Sequence, residues 1–139
     1  MNKILITCIN LSLFLLIGCS KKSSTSENEY YVKYVIDGKS SIQQNSPTGL
    51  KITLIKEGNV AVDYTRPSRG SNEFTIGPVK KGFTASLTGL NMCPVTNSCP
   101  TLMDLQIFVS QNNGPFVLKK EDINSASYRS NAQISHTIE

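Results

Sequence analysis

The chain has no tryptophan and one histidine among its 139 residues, and its ten acidic side chains are scattered. A hydrolytic triad needs a base beside its nucleophile. The one histidine, His136, lies in an alternating stretch between Ile134 and Ile138. It reads as a half-packed, half-solvated residue at a strand end rather than a base or metal ligand. Asp37, Glu57, Asp63, Glu73, Asp104, Glu121 and Asp122 form no recognisable acid–base motif of the kind sugar hydrolysis needs. Asp104 is out of phase with Met103 and Leu105 and is expected to be a solvated strand residue, with Glu121–Asp122 a charged loop. Gly-rich phosphate loops, EF-hand spacing and histidine–carboxylate metal motifs are missing too, so no enzyme activity, cofactor or metal is expected. The formal net charge of +4 is spread along the chain, which argues against a nucleic-acid partner. The apolar run from Ile4 to Ile17, interrupted by Asn10 and Ser12, falls short of the roughly 20 residues a spanning helix needs.

That run belongs to a different pattern. Lys3, the apolar stretch and then Gly18–Cys19 have the layout of an export signal. The segment "LIGC" (Leu16 to Cys19) resembles the lipobox of bacterial lipoproteins. The resemblance implies a diacylglyceryl group on the Cys19 thiol, cleavage after Gly18 and acylation of the new N-terminus, with palmitate-type chains. One acyl chain binds a membrane marginally, while a second makes anchoring stable. Residues 1–18 are thus expected to be a signal peptide, and 19–29 a lipidated cysteine with a flexible, serine-rich tether. Lys21 and Lys22 could each contribute about 1 kcal/mol against anionic headgroups. Ser20 after the cysteine resembles an outer-membrane sorting signal, so the expected location is the bacterial envelope, on the outer membrane facing the periplasm.

From Tyr30 onward the apolar period is two, the signature of half-buried strands. Tyr30, Val32, Tyr34 and Ile36 share a face; so do Leu50, Ile52 and Leu54; Val60, Val62 and Tyr64; Phe83, Ala85 and Leu87; Met103, Leu105, Ile107 and Val109; and Ala132, Ile134, His136 and Ile138. Turn residues separate these runs at "KEGN", "KKG" and "QNNGP", the last being the strongest hairpin signal. No stretch is convincingly helical; only "KKEDINSASY" could hold a helical turn. Residues 30–139 are expected to form an all-β, two-layer antiparallel β-sandwich, immunoglobulin-like, of about seven strands. A small barrel is the alternative.

The succession "YYVKYVIDG", "EFTIGPVKKGFTASLTGL", "DLQIFVSQNNGPFVLKK" and "AQISHTI" is similar to that of small envelope β-sandwich proteins. These include bacterial lipoproteins and the small membrane proteins that accompany mycobacterial lipid exporters. The family often carries a tryptophan before the "KKG" turn, which this chain lacks, and the resemblance implies no catalytic residues.

Cys8 leaves with the signal and Cys19 is lipidated, leaving Cys93 and Cys99 in "CPVTNSCP". Five residues separate them, unlike a CxxC redox motif, and one distant histidine does not complete a four-ligand zinc site. In an exported domain they read as a disulfide contributing roughly 2 kcal/mol, with free thiols or metal as lesser alternatives. It would stiffen the crossover between strands ending at Leu90 and starting at Leu102.

Tyr31, Val35 and Phe108 lie on the face opposite the core set and are candidates for a partner-binding surface. The expected function is that of a lipid-anchored, non-catalytic module binding another envelope component. The alternatives are a carrier of lipids or small apolar ligands and, less favoured, an enzyme acting on envelope polymers.

Overall fold

The structure is a computed structural model that describes residues 27–40, 49–92, 101–123 and 129–139. Among the described residues, eight strands follow one another: β1 (Tyr30–Ser40), β2 (Gly49–Lys56), β3 (Val60–Pro67), β4 (Gly70–Val79), β5 (Thr84–Met92), β6 (Thr101–Gln111), β7 (Val117–Asp122) and β8 (Asn131–Thr137). They form two four-stranded antiparallel sheets, ordered β4-β1-β6-β7 and β3-β2-β5-β8. The expected two-layer sandwich is what the chain adopts, and the barrel alternative is not.

Period two places the core. Val32, Tyr34 and Ile36 of β1 and Met103, Leu105 and Ile107 of β6 face Leu50, Ile52 and Leu54 of β2 and Ala85 and Leu87 of β5, all fully buried. At the sheet edges Tyr64 of β3 and Phe74 of β4 close the gap with ring centroids 4.6 Å apart. Val60, expected in that set, is exposed; it is the first residue of β3, an edge strand.

Two glycines are dictated by close approach. A Cβ on Gly38 would lie within van der Waals overlap of the Ser68 carbonyl oxygen, where the β3–β4 corner closes over the end of β1. A Cβ on Gly89 would meet Ile36 Cδ1 at 2.6 Å and Met103 Sδ at 3.1 Å across the core.

The hairpin between β6 and β7 forms at "QNNGP", with positive φ at Asn112 (50°) and Asn113 (59°) rather than at Gly114. It is closed by the Gly114 N–H donating to the Gln111 carbonyl at 2.9 Å. Ser110 Oγ donates to the Gly114 carbonyl at 2.6 Å. β7 then continues through Lys119–Asp122, so Glu121 and Asp122 end a strand and are not a charged loop. The reason is pairing: Gln106 opposes Glu121 and Leu105 opposes Asp122, while the edge position keeps the β7 charges hydrated. The same strand accounts for the first residues of the stretch in which a helical turn was conceivable.

Tyr30, Val79, Gln111 and Ile138 gather at one pole, where the chain enters β1. The strand ends at Ser40, Gly49, Met92, Thr101 and Asp122 and the start of β8 lie at the other.

Candidate functional site

The outer face of the β4-β1-β6-β7 sheet carries the three residues expected to form a surface. β1 pairs with β6 so that Tyr31 opposes Ser110, Lys33 opposes Phe108, and Val35 opposes Gln106. Tyr31, Val35 and Phe108 are therefore on one face, but each is half-buried rather than open. Lys33 stands between Tyr31 and Val35 and holds its Nζ 4.9 Å from the Phe108 ring centroid and 5.4 Å from that of Phe116. It also lies 3.9 Å from a Glu73 carboxylate oxygen on β4. An ammonium above two ring faces is attracted to their quadrupoles, and its methylene stem covers part of the apolar surface.

Phe108 opposes Leu118 on β7. The more exposed part of the band is thus Phe116 (38%) and Leu118 (40%), neither of which sequence reasoning singled out. Their signal was present in "PFVLK", but only the β6–β7 register tells that they extend the Phe108 face. Together the residues make a continuous aromatic and aliphatic band with one cation at its centre.

Toward the far pole the same face carries a charged cluster. Asp37 and Asp104 oppose one another across β1 and β6. Lys39 Nζ sits 2.6 Å from an Asp104 oxygen and 4.0 Å from Asp37. The hydrogen bond and charge of Asp104 raise the Lys39 pKa above the ordinary lysine range, so this ammonium stays protonated. Asp104 is only 9% exposed, which corrects the expectation of a solvated residue: it does face outward, but it is covered and ion-paired. On the other sheet, exposed Asp63 accepts from Thr53 Oγ1 at 2.6 Å and lies 2.9 Å from Lys51 Nζ. Thr53 first, then Lys51, holds its carboxyl below the usual range.

His136 is on the inner face of β8, half-buried as expected of a strand-end histidine. It borders a recess of about 380 Å³ at the rim between β7 and β8, floored by Tyr30, Val109, Val117 and Ile138, with Lys119 and Glu139 on its edge. Among the described residues, no group of three or more His, Cys, Asp or Glu side chains is arranged to hold a metal ion. No helix among them is long and apolar enough to cross a membrane. Cys19, the cleavage point, most of the tether, and the pair Cys93 and Cys99 lie outside the described residues. The pair is nonetheless located between the end of β5 at Met92 and the start of β6 at Thr101, strands of opposite sheets.

Comparison with known proteins finds no matching family model, no matching curated protein and no matching solved structure.

Proposed function

We propose that the chain is a lipid-anchored, non-catalytic envelope protein, held to the outer membrane through Cys19, whose sandwich docks another envelope protein through the outer face of the β4-β1-β6-β7 sheet. The observation that carries this reading is the band of Phe108, Phe116 and Leu118 around Lys33, edged by Tyr31 and Val35. Aromatic side chains are enriched in protein interface cores and lysine is depleted there, so the two phenylalanines, rather than Lys33, support the reading. The entry of the chain into β1 at one pole supports the anchor reading, since a tether attached there leaves both outer faces accessible. A carrier of small apolar ligands is less well supported, because the space between the sheets is filled by side chains and the recess beside His136 opens at the rim.

The test uses intact cells. A photo-crosslinking phenylalanine analogue at Leu118 is expected to yield a discrete protein adduct that the same analogue at Thr65, on the other sheet, does not. Cys19→Ser is expected to abolish incorporation of labelled palmitate into the chain. Absence of any specific adduct from position 118 overturns the docking reading; a parent chain that takes up no labelled palmitate, or a serine variant that takes up as much, overturns the anchor.

A further inference from the structure

β7 does not pair regularly with β6. Leu118 opposes Phe108 and Lys120 opposes Ile107, so Lys119 is the extra residue of a β-bulge. In a regular strand Glu121, two residues on, would share the side of Lys119 and neutralise it. The bulge reverses the alternation instead. Glu121 opposes Gln106 and accepts from its Nε2 at 3.3 Å, while Asp122 is held by Arg129 at 2.7 Å. Both carboxylates of the strand are thus turned to other partners, and Lys119 borders the recess beside His136 without them.

The recess has an apolar floor and a polar rim. Tyr30, Val109 and Ile138 are buried beneath it, and Val117 extends the apolar wall. Gln111, Lys119, His136 and Glu139 supply the polar groups, and none of their side chains makes a hydrogen bond or ion pair with another described residue. Lys119 and Glu139 are therefore opposite charges at one opening that do not satisfy each other. A ligand with one charge would be drawn by one of them and repelled by the other; a ligand carrying both is matched at both. The volume of about 380 Å³, at about 30 Å³ for each water-sized group, admits about a dozen non-hydrogen atoms. That is too little for the paired acyl chains of a phospholipid and enough for one small molecule.

We propose that this recess binds a free apolar α-amino acid of the size of leucine or phenylalanine. Its carboxylate pairs with Lys119 and its ammonium with the Glu139 carboxylate at the wet rim, while its side chain lies on Tyr30, Val109, Val117 and Ile138. Gln111 and the His136 ring add hydrogen-bonding groups beside the charged end. The open rim that ill suits a wholly apolar cargo is what a zwitterion needs, because its charges keep part of their hydration there. The site lies on the inner side of β7, away from the Phe108–Leu118 face, and does not rest on the function proposed for that face.

The test is a titration of the full chain, held in phosphatidylcholine nanodiscs and followed through the NMR shifts of the His136 ring and the Ile138 methyl groups. Phenylalanine is expected to move them saturably, with a dissociation constant at or below about 1 mM. Hydrocinnamate, which lacks the ammonium, and phenethylamine, which lacks the carboxylate, should each bind about tenfold more weakly. Glycine, which lacks the apolar body, should give no saturable shift. Lys119 and Glu139 are both exposed, so they can be changed without touching the core. Lys119→Gln should weaken phenylalanine about tenfold without weakening phenethylamine, and Glu139→Gln should weaken it similarly without weakening hydrocinnamate. No saturable shift with phenylalanine overturns the proposal. So does either one-charge analogue binding as tightly as phenylalanine, which would make the recess a plain apolar cleft or a single-ion site. Variants that bind phenylalanine as the parent does overturn it as well.

Discussion

The hydroxyl of Tyr34, in the middle of the core face of β1, donates to the Ile55 carbonyl of the opposite sheet at 2.7 Å. The side chain is fully buried, and burial pushes its pKa well above the ordinary tyrosine range; the backbone amide of Ser86 acts against that shift without cancelling it. One polar atom therefore fixes how the two sheets slide on one another, which apolar contacts alone specify weakly. Tyr34→Phe removes the donor and is expected to cost about 1 kcal/mol at neutral pH. The pH dependence follows from the direction of the shift. The unfolded tyrosine ionises near pH 10 while the folded one keeps its proton, so this residue withdraws stability as pH rises through that range. The stability gap between parent and Tyr34→Phe should accordingly narrow between about pH 9 and pH 11, as read by urea denaturation. A gap that widens with pH would show that the buried hydroxyl is not the protonated group described here.

At the scale of elements, the corner between β7 and β8 is joined by Arg129. Its guanidinium donates to an Asp122 carboxylate oxygen at 2.7 Å and to the Met103 carbonyl at the end of β6, tying three strands of both sheets. Charge-assisted bonds from a planar fork are stronger than neutral ones, and this side chain is largely shielded from water. Arg129→Ala should destabilise the domain by about 1–3 kcal/mol, and Arg129→Lys should recover only part, because an ammonium does not reproduce the fork. Thermal melts of the two variants that coincide with the parent would discount the clip. Neither this residue nor the aromatic band could be read from sequence, and the reason is the same. Period two announces a face wherever one side of a strand is buried, so β1, β2, β5, β6 and β8 were legible together with their core residues. It does not announce which strands are neighbours. Phe108 could be assigned to an outer face, but the Lys33 opposite it, the Leu118 beside it and the Lys39 covering Asp104 are products of register. Edge strands blur further, since both of their sides touch water: β7 looked like an apolar fragment followed by a charged loop because its lysines and acids alternate with nothing buried.

For the whole molecule, the topology separates a well-braced centre from looser edges. β1 and β6 each have a partner on both sides, as do β2 and β5, and the core hydrophobic side chains with no solvent exposure all belong to these four strands. β3, β4 and β7 have one partner each and expose most of their residues. An edge amide can be freed by opening one ladder, whereas a central amide requires two ladders and the core to part. Native-state hydrogen exchange should thus divide the chain into two classes, with amides of Val32–Ile36, Ile52–Leu54, Leu87 and Leu105–Ile107 at least about tenfold more protected than those of β3 and β7. Uniform protection across β1, β3 and β7 would instead mean that the domain opens only as a whole, and that its edges are braced by contacts beyond the ladders described.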